Sequence, residues 1–560
     1  MKISKNSSVM LSVALLALLT LTLAPDHASA QIAPDAGQSE RELERRPLEI
    51  PAEKPVDIQL PAELSANGAA DGRAFTVNGF TISGNRVFPA ATLLARLSDL
   101  TGKTMTLAEL QAAASRITQY YRENGYLLTQ AFVPAQTVED GRVAITVMEG
   151  YYGKIEVDNR SSLRPFALAP LSALKEGTVA RAADIERALL LMNERDGVSV
   201  SASLRPGSEV GTTALRVAVE PTRRFTGRVE YDNAGNRYTG EHRFAGRAAW
   251  NNPLGLGDRL DAQLLGTIEE QIYYRFSYQV PFGSMGTSAG VGYSHMEYEL
   301  GEEFEALDAY GTARTTTVFL TQPIVASRRF ELTARAQYEN RHLRDVIGLF
   351  DATAKKRSDV GAVSLGGIVR DEVFGGGVNS FDLTWRYGSL DIRDAMSYAD
   401  DRLTSRRDGA FNVLAPSIAR LQRLDDRFSL LLNVRGQWAN KNLDGSEKFG
   451  LGGAYGVRAY PQGEAQADAG VLGTAELRYS VIRPLQVSGF IDSSWAKLNS
   501  NPWDGGKNER SLSGAGIGAT WTDPHFRLGI NAAWRVGGEE PLSDTTDRTP
   551  RIWGNVAFIF

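Results

Sequence analysis

The side chains that could do chemistry are few and dispersed. The five histidines stand apart, at positions 27, 242, 295, 342 and 525, and the chain contains no cysteine. Thiolate metal sites, cysteine nucleophiles and disulfide scaffolds are therefore excluded. No H-E-x-x-H or G-x-x-x-x-G-K pattern occurs, so neither a zinc-hydrolase helix nor a phosphate-cradling loop is expected. The adjacent carboxylates Glu302-Glu303 and Asp400-Asp401 fall in loop-like sequence and read as solvated charge. Gly514, Gly516 and Gly518 sit in strand-like sequence, without the strand–turn–helix setting a nucleotide needs. Two groups remain. Arg458 follows the glycine-rich run Phe449-Gly450-Leu451-Gly452-Gly453, and Asp492 lies in an alternating stretch. A guanidinium and a carboxylate form directional, two-pronged pairs rather than covalent intermediates. The chemistry expected is positioning and recognition: no enzyme, no cofactor and no metal.

The elements that hold such groups can be read along the chain. Lys2 and Lys5, a largely apolar run over 9–23 and the small-residue triplet Ala28-Ser29-Ala30 predict a signal peptide over 1–30, cut after Ala30. Residues 31–72 carry Pro47, Pro51, Pro55 and Pro61 and read as an extended linker. Within it, 39–46 predicts a short helix capped by Ser39. Residues 73–150 and 151–221 read as two small α+β units. In the first, a strand-like stretch covers 75–87, and Leu107, Leu110, Ala114, Ile117 and Tyr121 make one buried helical stripe that Asn124-Gly125 ends. Strands are expected over 127–133 and 142–148. The second unit repeats the order: strand 152–157, helix 182–194 with Ile185, Leu189 and Met192 inward, then strands 198–204 and 213–219.

From residue 222 to the C-terminus the period changes to two. Ile272, Tyr274, Phe276, Tyr278 and Val280 share one face, and Tyr273, Arg275, Ser277 and Gln279 the other. Phe428, Leu430, Leu432, Val434 and Trp438 repeat the pattern. These runs approach the ~9–11 residues of a tilted bilayer-crossing strand, and each polar face carries charge. A closed antiparallel β-barrel follows, greasy outside and wet inside. About sixteen strands at roughly 21 residues each, connections included, fill the region; roughly fourteen or eighteen also fit. The chain ends in an alternating stretch closed by Phe560. Charged residues are 23% of the chain and hydrophobic residues 42%, which excludes a disordered chain and a multi-span helical protein. The net charge of −5 argues against a nucleic-acid partner.

Several stretches carry a family resemblance. Glu230-Tyr231-Asp232-Asn233-Ala234-Gly235-Asn236-Arg237-Tyr238-Thr239-Gly240 looks like a first barrel hairpin. Asn252-Pro253-Leu254-Gly255-Leu256-Gly257-Asp258 looks like the turn before strand two or three. Gly456-Val457-Arg458-Ala459-Tyr460 resembles the VRGY motif, and Gly489-Phe490-Ile491-Asp492 the FxD motif. In this order, behind two small repeats, they resemble the outer-membrane transporters of two-partner secretion, within the Omp85 superfamily. The resemblance implies a mixed fold of two periplasmic α+β POTRA domains, over 73–150 and 151–221, before a transmembrane antiparallel β-barrel of about sixteen strands over 222–560. It implies a loop near 449–466 folded into the lumen, where Arg458 meets Asp492. Val457, Tyr460 and Phe490 complete that latch, and the 39–46 helix plugs the lumen. Ala459 stands where the pattern has glycine, which asks for a less permissive backbone. Ser488, Phe490 and Asp492 share one strand face, and a carboxylate facing lipid is costly, so Asp492 is expected to point inward. In a wet lumen such a pair is worth ~0–1 kcal/mol.

The implied function is export of an unfolded exoprotein, a large adhesin or cytolysin, from the periplasm through the barrel to the surface of a Gram-negative bacterium. The implied partners are that exoprotein, outer-membrane lipid and periplasmic chaperones. A free strand edge on a POTRA-like unit offers cargo a pairing site. The alternatives are an Omp85-type barrel assembly factor, which usually carries more than two POTRA-like units, and a passive porin or receptor, which needs none.

Overall fold

The computed structural model describes residues 33–45, 50, 57–59, 74–126, 128–209, 211–537 and 539–560. The expected signal peptide and most of the linker lie outside the described residues.

The first small unit packs helices α2 (Ala90–Ala95) and α3 (Leu107–Glu123) on a three-stranded sheet ordered Gly79–Ser83, Arg142–Met148, Gln130–Phe132. Thr106 caps α3: its hydroxyl accepts from the Glu109 N–H while the Glu109 carboxylate accepts from the Thr106 N–H, so two orphan donors are satisfied at once. Leu110, Ala114, Ile117 and Tyr121 lie in the core. The stretch expected as one strand over 75–87 is two, Ala74–Thr76 and Gly79–Ser83. Between them the Val77 N–H donates to Lys103 O and the Asn78 N–H to Gly141 O, so the backbone switches partners in mid-stretch. The strand expected over 127–133 is confined to Gln130–Phe132.

Where this unit meets the next, Glu149 is buried and accepts from the Arg86 and Val87 N–H groups at 2.5 and 2.7 Å and from the Tyr121 hydroxyl at 2.8 Å. Burial, and then this carboxylate, raise the Tyr121 phenol above its ordinary value and keep it a donor. Glu149→Ala leaves four donors without this acceptor, the Tyr151 hydroxyl at 3.1 Å included, at ~1–3 kcal/mol for each that stays buried. We expect faster limited proteolysis of 75–221 in the assembled protein, with the barrel still intact. Unchanged proteolysis would show that Glu149 does not hold the joint.

The second unit sets α4 (Ala182–Asn193) on a four-stranded sheet ordered Ile58–Gln59, Val198–Pro206, Thr212–Pro221, Tyr151–Asn159. Ile185, Leu189 and Met192 meet Val200, Leu204, Leu215 and Val217 in its core. One edge of this sheet is taken by the chain itself. Ile58–Gln59 runs parallel to Val198–Pro206, and the Ala202 N–H donates to Asp57 O at 2.9 Å. That leaves Tyr151–Asn159 as the other edge.

Sixteen antiparallel strands then close a barrel. They are β1 (Phe225–Asp232), β2 (Arg243–Asn251), β3 (Arg259–Thr267), β4 (Ile272–Phe282), β5 (Thr287–Glu299), β6 (Ala309–Ala326), β7 (Phe330–Ile347) and β8 (Ala352–Asp371). The circuit continues with β9 (Gly377–Ile392), β10 (Gly409–Arg423), β11 (Phe428–Ala439), β12 (Ala469–Ile482), β13 (Leu485–Lys497), β14 (Glu509–Thr522), β15 (Phe526–Arg535) and β16 (Arg551–Ile559). Ile272, Phe276, Leu432, Val434 and Trp438 lie on the outer, exposed face, as the alternation demands. β1 pairs with β16 from Arg228↔Ile559 to Asp232↔Asn555. Past β16, Phe560 exchanges two backbone hydrogen bonds with Gly227. Its ring lies so close to that glycine that a Cβ there would sit 2.6 Å from it. The terminal phenylalanine thus extends the closing pair by one residue. The turn Asn252–Asp258 precedes the third strand, not the second, and packs against Arg195 and Ser162 of the second small unit.

Helix α1 (Ala36–Glu44) lies inside the barrel against the inner faces of β5, β6 and β7. It begins three residues before the expected 39–46 and is capped by Asp35, whose carboxylate accepts from the Gln38 N–H at 2.8 Å. Ser39, the expected cap, sits within the helix instead.

Candidate functional site

The connection between β11 and β12 folds back into the lumen and carries Val457, Arg458 and Tyr460 inward, all buried. Its turn is built from short backbone bonds: the Val457 N–H donates to Leu451 O at 2.7 Å, and the Tyr460 N–H to Val457 O at 3.0 Å. Arg458 Nε and Nη2 donate to the two oxygens of Asp492 in β13 at 2.8 and 3.0 Å. The Arg458 backbone N–H donates to the same carboxylate at 3.2 Å. The guanidinium carbon stands 3.2 Å from the centroid of the Phe490 ring, so the cation is forked to a carboxylate and stacked on an aromatic face. Arg458 Nη1 donates to Glu476 at 2.9 Å, and Thr474 Oγ1 to Asp492 at 2.9 Å. Tyr460 donates its hydroxyl to Glu539 O at 2.8 Å, and Trp553 Nε1 donates to Arg458 O at 2.7 Å.

This arrangement differs from the wet lumen expected above. Asp492 is 0% exposed and Arg458 9%. Breaking a buried, forked pair by removing one partner costs ~3–5 kcal/mol, because a charge is left buried without its counterpart. Ala459 departs from the motif without strain, since it is not among the residues with positive φ. Its methyl lies over Gly514 of β14, where a Cβ would approach it to 2.5 Å. Gly516 makes the same room for the Phe490 ring. The alternate glycines of β14 are therefore the bed on which the loop and its partner ring lie.

A second set of contacts holds α1. Lys356 of β8 is buried and donates to Asp35 at 2.7 Å and Asp444 at 2.8 Å, with Asp345 at 3.7 Å. The Ala36 N–H and the Tyr298 hydroxyl donate to Asp345 at 2.7 and 2.9 Å. Glu40 accepts from Ser294 and Thr315, Glu42 from Asn236 at 3.3 Å, and Glu44 lies 3.4 Å from Arg275. Asn236 belongs to the hairpin that read as family signature alone; the structure makes it a contact of α1. Gly450, in the inward loop, lies against Arg45, where a Cβ would coincide with the guanidinium. Helix and loop thus share one interior.

Sequence reasoning missed Glu476, Trp553 and Lys356. It also missed Glu464, which is buried, accepts from the Leu542 and Ser543 N–H groups at 2.9 Å and pairs with Arg510 at 2.9 Å. Only Glu476 had a local signal, two residues from Arg478 on one strand face, where the two are joined at 2.9 Å. One motif points the wrong way. Gly286-Thr287-Ser288-Ala289-Gly290 has the G-x-S-x-G form, but Ser288 lies in β5 opposite Thr321 rather than on a strand-to-helix elbow. Among the described residues no cluster of metal-ligating side chains occurs.

Small α+β units on a sixteen-strand barrel with an inward loop define the Omp85 class of outer-membrane proteins, whose POTRA units face the periplasm. Comparison with known proteins resolves the class further. The profile for haemolysin secretion/activation proteins ShlB/FhaC/HecB matches residues 211–521, and that of the ShlB-type POTRA domain matches 75–150. The chain belongs to the ShlB/FhaC/HecB family and is an outer-membrane transporter of the two-partner secretion type. Among curated proteins it is similar to the heme/hemopexin transporter protein HuxB of Haemophilus influenzae strain 86-028NP, with 27% identity over 92% of this chain and 93% of HuxB. Among solved structures it resembles CdiB from Escherichia coli, with a TM-score of 0.69, 19% identity and 100% of both chains covered. It also resembles BamA from Haemophilus ducreyi lacking POTRA domains 1–3, with a TM-score of 0.51, 13% identity, and 87% of this chain and 100% of that one covered. These two likenesses establish the fold.

Proposed function

We propose that residues 73–150 and 151–221 capture an unfolded exoprotein in the periplasm and that the barrel passes it to the cell surface. HuxB is named for heme and hemopexin, and the family for haemolysin secretion and activation. By that likeness the cargo here is a large secreted adhesin or cytolysin. Outer-membrane lipid surrounds the barrel, and periplasmic chaperones deliver the chain unfolded. The protein carries cargo without catalysis, and folding of the emerging chain outside supplies the pull.

The observation that carries this reading is how α1 is held. Its buried apolar side chains are Ala36 and Leu43 alone, and its other anchors are hydrogen bonds and ion pairs. Such a helix lies in the lumen with only two apolar side chains to withdraw from the cluster they share with Tyr238, Tyr273 and Met296. It acts as a plug, while Arg458, with Val457, Tyr460, Phe490 and Asp492, latches the inward loop in a fixed position. A barrel assembly factor would need its passenger at the barrel's side rather than in its lumen.

The test is photocrosslinking in cells that export an exoprotein stalled by a tightly folded C-terminal fusion. Crosslinkers at the exposed Phe132 and Phe166 of the small units and at the inward Asn433 of β11 should all capture the stalled chain. Capture at the small units without any capture at Asn433 would overturn passage through the lumen.

A further inference from the structure

An arginine row runs along the inner wall on the side of β1–β4. Arg228 stands opposite Arg247, Arg247 opposite Gln263, and Gln263 opposite Arg275. Together with Arg259 and Arg335 these arginines line a cavity of about 530 Å3 that Asp261 also lines. Five guanidinium groups thus face this space, against Glu230 at 2.7 Å from Arg228 and Asp261 at 2.8 Å from Arg259, which leaves the wall with a positive excess. Arg335 hydrogen-bonds Gln337 and lies over the Phe319 ring at 4.1 Å.

The cavity also shows what it takes. Glu44, at the last turn of α1, lies 3.4 Å from Arg275, and Asp196, just past α4 of the second small unit, lies 3.1 Å from Arg259. At both borders a carboxylate from a non-barrel segment of this chain already rests on one of the arginines. When α1 leaves, Arg275 loses Glu44 and the row is open from the periplasmic mouth inward.

We propose that this chamber binds the aspartate and glutamate side chains of the passing exoprotein, with Glu44 as the built-in occupant that cargo carboxylates replace. The proposal rests on the transport reading above and adds a substrate preference to it: acidic segments engage the β1–β4 wall first. Water in the cavity keeps each contact weak and exchangeable, which lets a chain step from one arginine to the next. A wall of one sign also concentrates ions of the other.

The test uses the full-length protein, and the same chain lacking 33–45, in planar bilayers under a potassium chloride gradient. We expect an anion-selective reversal potential for the helix-deleted pore. Polyglutamate on the periplasmic side should block the current, and polylysine should not. Changing Arg228, Arg247, Arg275 and Arg335 together to Gln should shift the reversal potential towards that of potassium and raise the half-blocking polyglutamate concentration by roughly tenfold or more; the corresponding Lys variant should keep both properties. A cation-selective pore, or block by polylysine and not by polyglutamate, would overturn the proposal even if the Gln variant assembles poorly. In cells, the assembled Gln variant should secrete less exoprotein than the Lys variant. Equal secretion would overturn the arginine row while leaving transport intact. Absence of secretion by the unsubstituted chain would instead overturn the transport reading, with the bilayer result still deciding what the chamber binds.

Discussion

Arg458→Ala is expected to abolish release of the exoprotein while the barrel still inserts. The substitution removes both prongs on Asp492, the contact to Glu476 and the stacking on Phe490 at one stroke. Asp492 stays fully buried, so the loss is of the ~3–5 kcal/mol class, about two to four powers of ten in the docking equilibrium of the loop. The barrel's own ladder does not pass through Arg458, since β12 and β13 pair along their whole length without it. Arg458→Lys should be nearly as damaging, because an ammonium cannot reproduce the fork or the flat stacking. The checks are exoprotein in the medium by immunoblot and barrel assembly by heat-modifiable migration. Normal secretion by Arg458→Ala would remove the latch role.

Lys356→Met is expected to open the pore. Lys356 is the cation among Asp35, Asp345 and Asp444, and these carboxylates join the cap of α1, the wall of β7 and the inward loop. Without it the three carboxylates lose the cation they share and keep only Arg407 nearby, and like charges in low dielectric repel. At ~3–5 kcal/mol the docking equilibrium of α1 falls by about two to four powers of ten, enough to turn a closed pore into one open most of the time. Single-channel recording should show a conductance close to that of the chain lacking 33–45, and deleting 33–45 in the Lys356→Met background should add little. A conductance equal to that of the unsubstituted chain would show that these ion pairs do not hold the plug.

Asp492 and Lys356 differ in how far the sequence alone reveals them. The inward direction of Asp492 follows from alternation on β13, where Phe490 and Asp492 are buried and Ile491 is exposed. Its partnership with Arg458 came from the family resemblance, since nothing in the spacing joins residues 34 positions apart. Lys356 was illegible. Its partners Asp35 and Asp444 are 321 and 88 residues away, and only barrel register and the docking of α1 bring them together. α3 was readable because its stripe and terminating Asn124-Gly125 agree locally, and the structure adds the Thr106 cap. α1 was misplaced by three residues because Ser39 and Asp35 are both good caps and tertiary contacts at Ala36 choose between them. The sixteen strands were within the range that length allowed, but only closure of β1 on β16 fixes the number. Dryness at the latch was invisible for a different reason: a polar strand face reads as wet until a loop is seen to cover it.

The most direct test of transport is secretion of an exoprotein encoded beside this chain, compared in cells that carry the chain and cells from which it has been deleted. The exoprotein is expected in the medium or at the cell surface only when the chain is present, and degraded in the periplasm otherwise. Equal export with and without the chain would contradict the transport reading.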